Sequence, residues 1–152
     1  MLATDILTED HRLAISLVEK LEGVRNNEAG NREIFADLAA ALQLHMREEE
    51  EIYYPALAEH EEFADLMDEN VTEHEMVKQN LAQMGELPIN DDTFQLLLAE
   101  TKAALEAHMT VEEDDIFPRS IELLGEDTIN ELGNEIDQMK SDELGLSSSA
   151  SV

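Results

Sequence analysis

Four of the chain's five histidines fall into two sets related by one constant offset. His11 and His45 stand 34 residues apart, and so do His74 and His108. A shift of 63 residues lays His11 on His74, His45 on His108, Glu49 on Glu112 and Pro55 on Pro118. Residues four apart share one face of an α-helix, one turn removed. His45 with Glu49, and His108 with Glu112, therefore make two N,O chelates, each presented by a single helix. His11 and His74 bring one further imidazole apiece. Six such donors oversupply one metal ion in a reactive site. They suit two ions, each with two imidazoles and both carboxylates bridging.

A single His-x-x-x-Glu carries little weight in a chain with 25 glutamates among 152 residues. The duplicated set is different. Four imidazoles and two carboxylates buried in a core without a metal leave costly unpaired polar groups, and metal binding removes that cost. Imidazole and carboxylate suit iron, manganese and zinc alike. Tyr53 follows Glu49 by four residues, hence on the same α-helical face, and its repeat mate is Ile116. It is the candidate phenol at one end of the site, as hydrogen-bond donor, ligand or radical relay. Tyr54 is off that face, matches Phe117 and is assigned to packing. Lys78 is expected to turn outward or to pair with a carboxylate. Glu48 is offset by one position and could stand behind a ligand, though solvated surface is the preferred reading. His60 lies about 16 Å beyond Glu49 along a continued helix, and belongs to a surface loop.

The elements that must hold these residues are helices. Glycine (6) and proline (3) are scarce while Leu, Ala, Glu and Met abound, a composition that favours helix over sheet. Apolar residues recur at 3–4 spacing nearly throughout. The spacing predicts a first helix over about 5–23, with His11 in its apolar stripe. A second starts near 31 and carries Phe35, Leu38, Leu42, His45, Glu49 and Ile52 at steps of 3 and 4. A third covers about 62–85, with Met67, Val71, His74, Val77, Leu81 and Met84 on its stripe. The 88–92 loop ends it and offers an N-cap for the fourth, which aligns Leu98, Thr101, Leu105, His108 and Glu112. Pro118, like Pro55, marks a kink or a helix end. Met46 and Met109 are expected to pack between helices. Residues 127–140 form a short amphipathic helix, expected across the bundle end.

The fold expected is all-α: an up-down-up-down four-helix bundle of two pseudo-two-fold helical hairpins, with a short extra C-terminal helix. One domain spans 1–140, and 141–152 is read as a polar disordered tail. The absence of cysteine excludes disulfides and thiolate ligands. With 9 basic against 37 acidic residues and a formal charge of −28, the surface repels nucleic acid and anionic membrane. No segment has the length of a membrane span, and the first residues lack the regions of a signal peptide. A cytoplasmic protein is expected.

The pattern His11 … His45-x-x-x-Glu49 … His74 … His108-x-x-x-Glu112 resembles the hemerythrin-like, or HHE cation-binding, domain family. The resemblance runs from about residue 5 to residue 118. It implies two iron ions, carboxylate-bridged and oxo- or hydroxo-bridged. It also implies a departure, since oxygen-carrying hemerythrins have a further histidine one turn after the third-helix one, where this chain has Lys78. With four histidines, the pair that the resemblance implies would have each iron five-coordinate with an open position. Two adjacent open positions suit O2, peroxide or nitric oxide, in oxygen binding or sensing or in oxidative or nitrosative stress defence. A redox partner protein would accompany turnover as a peroxide- or nitric-oxide-reacting oxidoreductase. An iron store or donor, and a structural bundle holding zinc, are the competing readings.

Overall fold

The structure, a computed structural model, is described for residues 1–145. Helix α1 (Ala3–Leu21) and α2 (Ala29–Glu48) form the first hairpin, and α4 (Glu61–Gly85) and α5 (Asp92–Val111) the second. The Asp91 side chain caps α5 by accepting from the Thr93 amide at 2.8 Å, as the 88–92 loop predicts. Both hairpin loops meet at one end of the bundle. There Asn27 accepts from the Ile89 amide, and Gln95 bonds the backbone of Leu21, Gly23 and Val24. This places the hairpins in the pseudo-two-fold relation that the repeat requires.

Neither long helix stays α-helical past its chelate. After α2 the chain makes a π-helical turn over Glu49–Tyr53 and continues as α3 (Tyr54–Ala58). After α5 it makes a second over Glu112–Ile116 and continues as α6 (Phe117–Leu124). Each turn closes with an i→i−5 bond, Tyr54 N–H to Glu49 O and Phe117 N–H to Glu112 O. Pro55 and Pro118 follow directly, in the first turn of α3 and α6. Proline lacks an N–H and its ring collides with the carbonyl four residues back in a regular helix. A widened turn ahead of the proline relieves that collision and lets the helix continue. The two prolines therefore mark π turns, and the expected kink or stop is replaced by an inserted residue.

The buried apolar residues form two clusters. One gathers the loop-end halves of the four long helices, with Leu38, Leu42, Leu81, Phe94 and Leu98 among its members. The other gathers Ile6, Leu7, Tyr54, Leu57, Phe63 and Phe117 with Ile129 and Ile136. The ligand-type residues come between these two clusters in the order of the helices.

Helix α7 (Glu126–Glu143) departs from expectation. It runs beside the first half of α1 instead of crossing the bundle end, with Asn130 at the Met1 amine and Lys140 at Asp10. It also continues into the expected tail as far as Glu143; residues 146–152 lie outside the described residues. Gly133 of α7 lies directly against the backbone of residues 1–3. A Cβ there would collide with the Met1 carbonyl and lie 2.9 Å from the Ala3 amide nitrogen. Gly133→Ala is therefore expected to destabilise by more than the ~1–3 kcal/mol of ordinary overpacking, because backbone rather than a flexible side chain must yield. Chemical denaturation measures it; an unchanged midpoint would contradict this packing.

Candidate metal centre

Each long helix contributes to one buried polar layer. His11 is 2% exposed, His45 6%, His74 4% and His108 7%, and Glu49 and Glu112 are fully buried. All six residues expected at the site come together. The four Nε2 atoms point inward at the two carboxylates. Glu49 Oε1 lies 3.0 Å from His74 Nε2, 3.2 Å from His45 Nε2 and 3.8 Å from His108 Nε2. Glu112 Oε1 lies 3.1 Å from His11 Nε2 and 3.5 Å from His108 Nε2. Both carboxylates thus border both histidine pairs.

The four Nδ1 atoms point outward, each donating to a separate carboxylate. His11 donates to Glu113 at 2.8 Å and His74 to Glu50 at 2.7 Å. His45 donates to Asp10 at 2.9 Å and His108 to Glu73 at 2.8 Å. A carboxylate on the far nitrogen fixes the tautomer that presents Nε2 to a metal and raises its basicity. These partners obey the repeat as well: Asp10 and Glu73 precede the first histidine of each half, and Glu50 and Glu113 follow the chelating glutamate. The 63-residue offset marks all four in the sequence. Among 37 acidic residues, however, residue type alone does not set these four apart.

The donor set fits a metal on two counts. His45 Nε2 and Glu49 Oε2 are buried without a hydrogen-bond partner in a layer otherwise closely paired. In addition, nitrogen–oxygen separations of 3.0–3.5 Å are the edges of a coordination polyhedron with bonds of about 2.1 Å. His11, His45, Glu49 and Glu112 form one convergent group and Glu49, His74 and His108 another, sharing Glu49.

Without metal, the charges in this layer hold one another. Burial pushes the His45 imidazole toward its neutral form, but the charge of Glu49 and the bond to Asp10 outweigh it and raise its pKa well above normal. His108 is likewise opposed by burial and carried up to about 11 by Glu112 and Glu49. Burial would raise the Glu49 carboxyl, yet His45 and its other partners hold it well below the usual range.

The expected tyrosine is the wrong one. Tyr53 turns away and its hydroxyl is paired with Ser120 Oγ at 2.6 Å. Tyr54 takes the place at the site, donating to Glu112 Oε2 at 2.8 Å, with its oxygen 3.2 Å from His108 Nε2 and 3.4 Å from His74 Nε2. The π turn is the cause. Its extra residue rotates everything after it by about 100° relative to an unbroken α-helix, so the fifth residue after Glu49 faces the ligands. Tyr54 stacks on His74 at 5.5 Å, and its repeat mate Phe117 stacks on His11 at 6.0 Å. One phenol oxygen distinguishes the two halves. Burial, together with the Glu49 and Glu112 charges, holds that phenol firmly in its protonated form.

Glu48 is not on the preferred solvated surface but behind the ligands, fully buried beside Asp10 and His45 with Lys140 Nζ 2.7 Å away. Burial and Asp10 raise its carboxyl to about 8 against the pull of Lys140. Lys78 pairs with Glu50 and Glu75 as foreseen, and His60 is the N-cap between α3 and α4, remote from the layer.

A family model described as the hemerythrin HHE cation binding domain matches residues 2–120. Among curated proteins, the chain is similar to the uncharacterized protein Rv2633c of Mycobacterium tuberculosis. It is 28% identical to it over 118 residues, which are 78% of this chain and 71% of that protein. The uncharacterized protein Mb2666c of Mycobacterium bovis gives the same identity and coverage. No solved structure matches the chain.

Proposed function

Because this chain belongs to the hemerythrin HHE cation-binding domain family, we propose that it is a non-haem diiron protein that binds or reacts with O2, peroxide or nitric oxide. The observation that carries this reading is the sharing of Glu49 and Glu112 between two histidine pairs. A mononuclear site has no use for a second pair of imidazoles, each with its own carboxylate behind it. Two irons would be held by His11 and His45 on one side and His74 and His108 on the other, with both glutamates common. When bound, such a pair supplies reversible one- and two-electron chemistry toward small ligands.

The residues of the chain supply the rest. The outer carboxylates hold the Nδ1 protons, and so aim the Nε2 atoms inward and make them stronger donors. The two apolar clusters exclude water from the layer. The Tyr54 hydroxyl holds its proton on Glu112 Oε2 beside the His74/His108 half, and by leaving that carboxylate it could donate to a bound ligand. No described helix is long and apolar enough to cross a membrane, and a cytoplasmic setting belongs to the same reading. A donor that hands its iron on is less well supported, since no ligand is more than 7% exposed.

Iron analysis with the optical spectrum of reduced protein, before and after O2, peroxide or nitric oxide, tests the proposal. Two irons per chain and a ligand-dependent spectrum are expected. Zinc alone after iron-replete expression would sink it. Tyr54→Phe is expected to change the spectrum and the ligand rates while leaving metal content intact, and Tyr53→Phe to change neither. Identical behaviour of both variants would remove the role given to Tyr54.

A further inference from the structure

A cavity of about 110 Å³ lies between α4 and α5 and reaches the metal-binding layer. His45, His74 and His108 border its inner end, and apolar side chains including Leu42, Val77 and Leu105 form its walls. Toward solvent it is bounded by Met76 (38% exposed), Ala104, Ala107 and Glu73. A water molecule's share of the liquid is about 30 Å³. The space therefore takes about three to four water-sized groups, ample for a diatomic, and falls well short of the roughly 300–1,000 Å³ of sites for organic ligands.

The repeat explains why the opening is on this side. Leu44 stands in the first half where Ala107 stands in the second, so an isobutyl group occupies the position of a methyl. On the first-half face a wider groove of about 520 Å³ runs past Asp10, Leu13, Ala41 and Leu44, but no histidine borders it, and α7 forms one side of it with Lys140 on Asp10 and Glu48 and Arg47 on Glu143. Accordingly the carboxylate behind His45, Asp10, is 16% exposed, whereas that behind His108, Glu73, is 54% exposed. A separate surface groove reaches His11, but beside Ile15 and Met109 it is lined by Glu19, Glu106, Glu113 and Asp114, four carboxylates against the one cation of Arg12. Those carboxylates suit cations better than a neutral gas.

We propose that the α4–α5 cavity is the access path and holding site for a small uncharged ligand of the dioxygen or nitric oxide type, serving the His74/His108 half. The assignment rests on the small-ligand reading above. Apolar walls admit a weakly hydrated diatomic and disfavour anions, hydrated cations and peroxide, which needs hydrogen bonds. Tyr54 belongs to the other apolar cluster yet touches the same two imidazoles. Ligand and phenol thus meet at one half of the centre.

Xenon marks apolar cavities, so crystals of the iron-loaded protein under xenon pressure provide the first test. Xenon is expected between Val77 and Leu105 in the wild type and absent in Ala107→Leu; no xenon there in the wild type overturns the proposal. The second test is stopped-flow binding of nitric oxide or O2 to the reduced, iron-loaded protein. Ala107→Leu is expected to slow association about tenfold, equivalent to ~1.4 kcal/mol on the barrier. Met76→Ala is expected to speed it, and Leu44→Ala to leave it unchanged, all at wild-type iron content. Opposite signs at two mouth residues are not produced by a general loss of structure. Equal rates in wild type and Ala107→Leu overturn the path and leave the diiron reading standing. A wild type that holds xenon but binds neither gas overturns that reading and the ligand assignment together.

Discussion

Glu49→Ala empties both halves of the centre, whereas His11→Ala empties one. Glu49 Oε1 borders imidazoles from three helices, His45, His74 and His108, while His11 Nε2 borders only Glu112. Metal analysis is expected to give near-zero metal for the first variant and about half occupancy for the second. Stability falls with it. Removing the charge of Glu49 leaves protonated imidazoles buried without their partner, a loss of about 3–5 kcal/mol for a broken buried pair. For a chain of this size that is roughly 10 °C in Tm even before the lost metal is counted. Calorimetry of wild type and variant, each with and without metal, separates the two contributions. Wild-type metal content in Glu49→Ala would show that the carboxylate is not shared.

Metal uptake at pH 7 releases protons, at least the two carried by His45 and His108. A metal needs neutral imidazole nitrogen, and in the metal-free protein His45 and His108 are both held protonated by the carboxylates around them. Titration calorimetry in buffers of different ionisation enthalpy measures the number; a value near zero would mean that the imidazoles are neutral before the metal arrives.

The same shifts set the pH dependence of the metal-free fold. A histidine whose folded pKa is raised stabilises fully below its unfolded value of 6.5, and that stabilisation is lost as pH rises toward about 11 for His108. Glu49, depressed below 4.5, contributes above that value and loses its contribution as pH falls through its lowered pKa. Glu48, raised to about 8, contributes fully below 4.5 and loses its contribution as pH rises toward 8, so the metal-free protein is most stable near pH 4.5 and weakens above it. Metal binding competes with protons and strengthens as pH rises, so the Tm gap between loaded and metal-free protein should widen from pH 5 to pH 8.

Much of this centre was legible before any fold was known. The six ligand residues follow from residue type, helical spacing and one offset, because an α-helix places i and i+4 on one face wherever it sits. The outer carboxylates Asp10, Glu50, Glu73 and Glu113 were equally present in the repeat, but a chain with 37 acidic residues hides four more. The choice between Tyr53 and Tyr54 was not legible from regular periodicity. Both readings of the tyrosines assumed an unbroken α-helix, and a single inserted residue reverses them. Pro55 and Pro118, seven positions after Glu48 and Val111, carried the signal that the helix must widen, though not the manner in which it does so.

The sequence by itself determined the donors, their pairing into two halves and the helical frame, since these depend on local geometry repeated twice. Tertiary structure alone decided how the halves differ. The π turn selected Tyr54, and α7 buried Glu48 with Lys140 and covered the first-half face. The gap beside Ala107 was left open between α4 and α5. Each depends on backbone path and on contacts between segments far apart in the chain, which no spacing within one helix encodes.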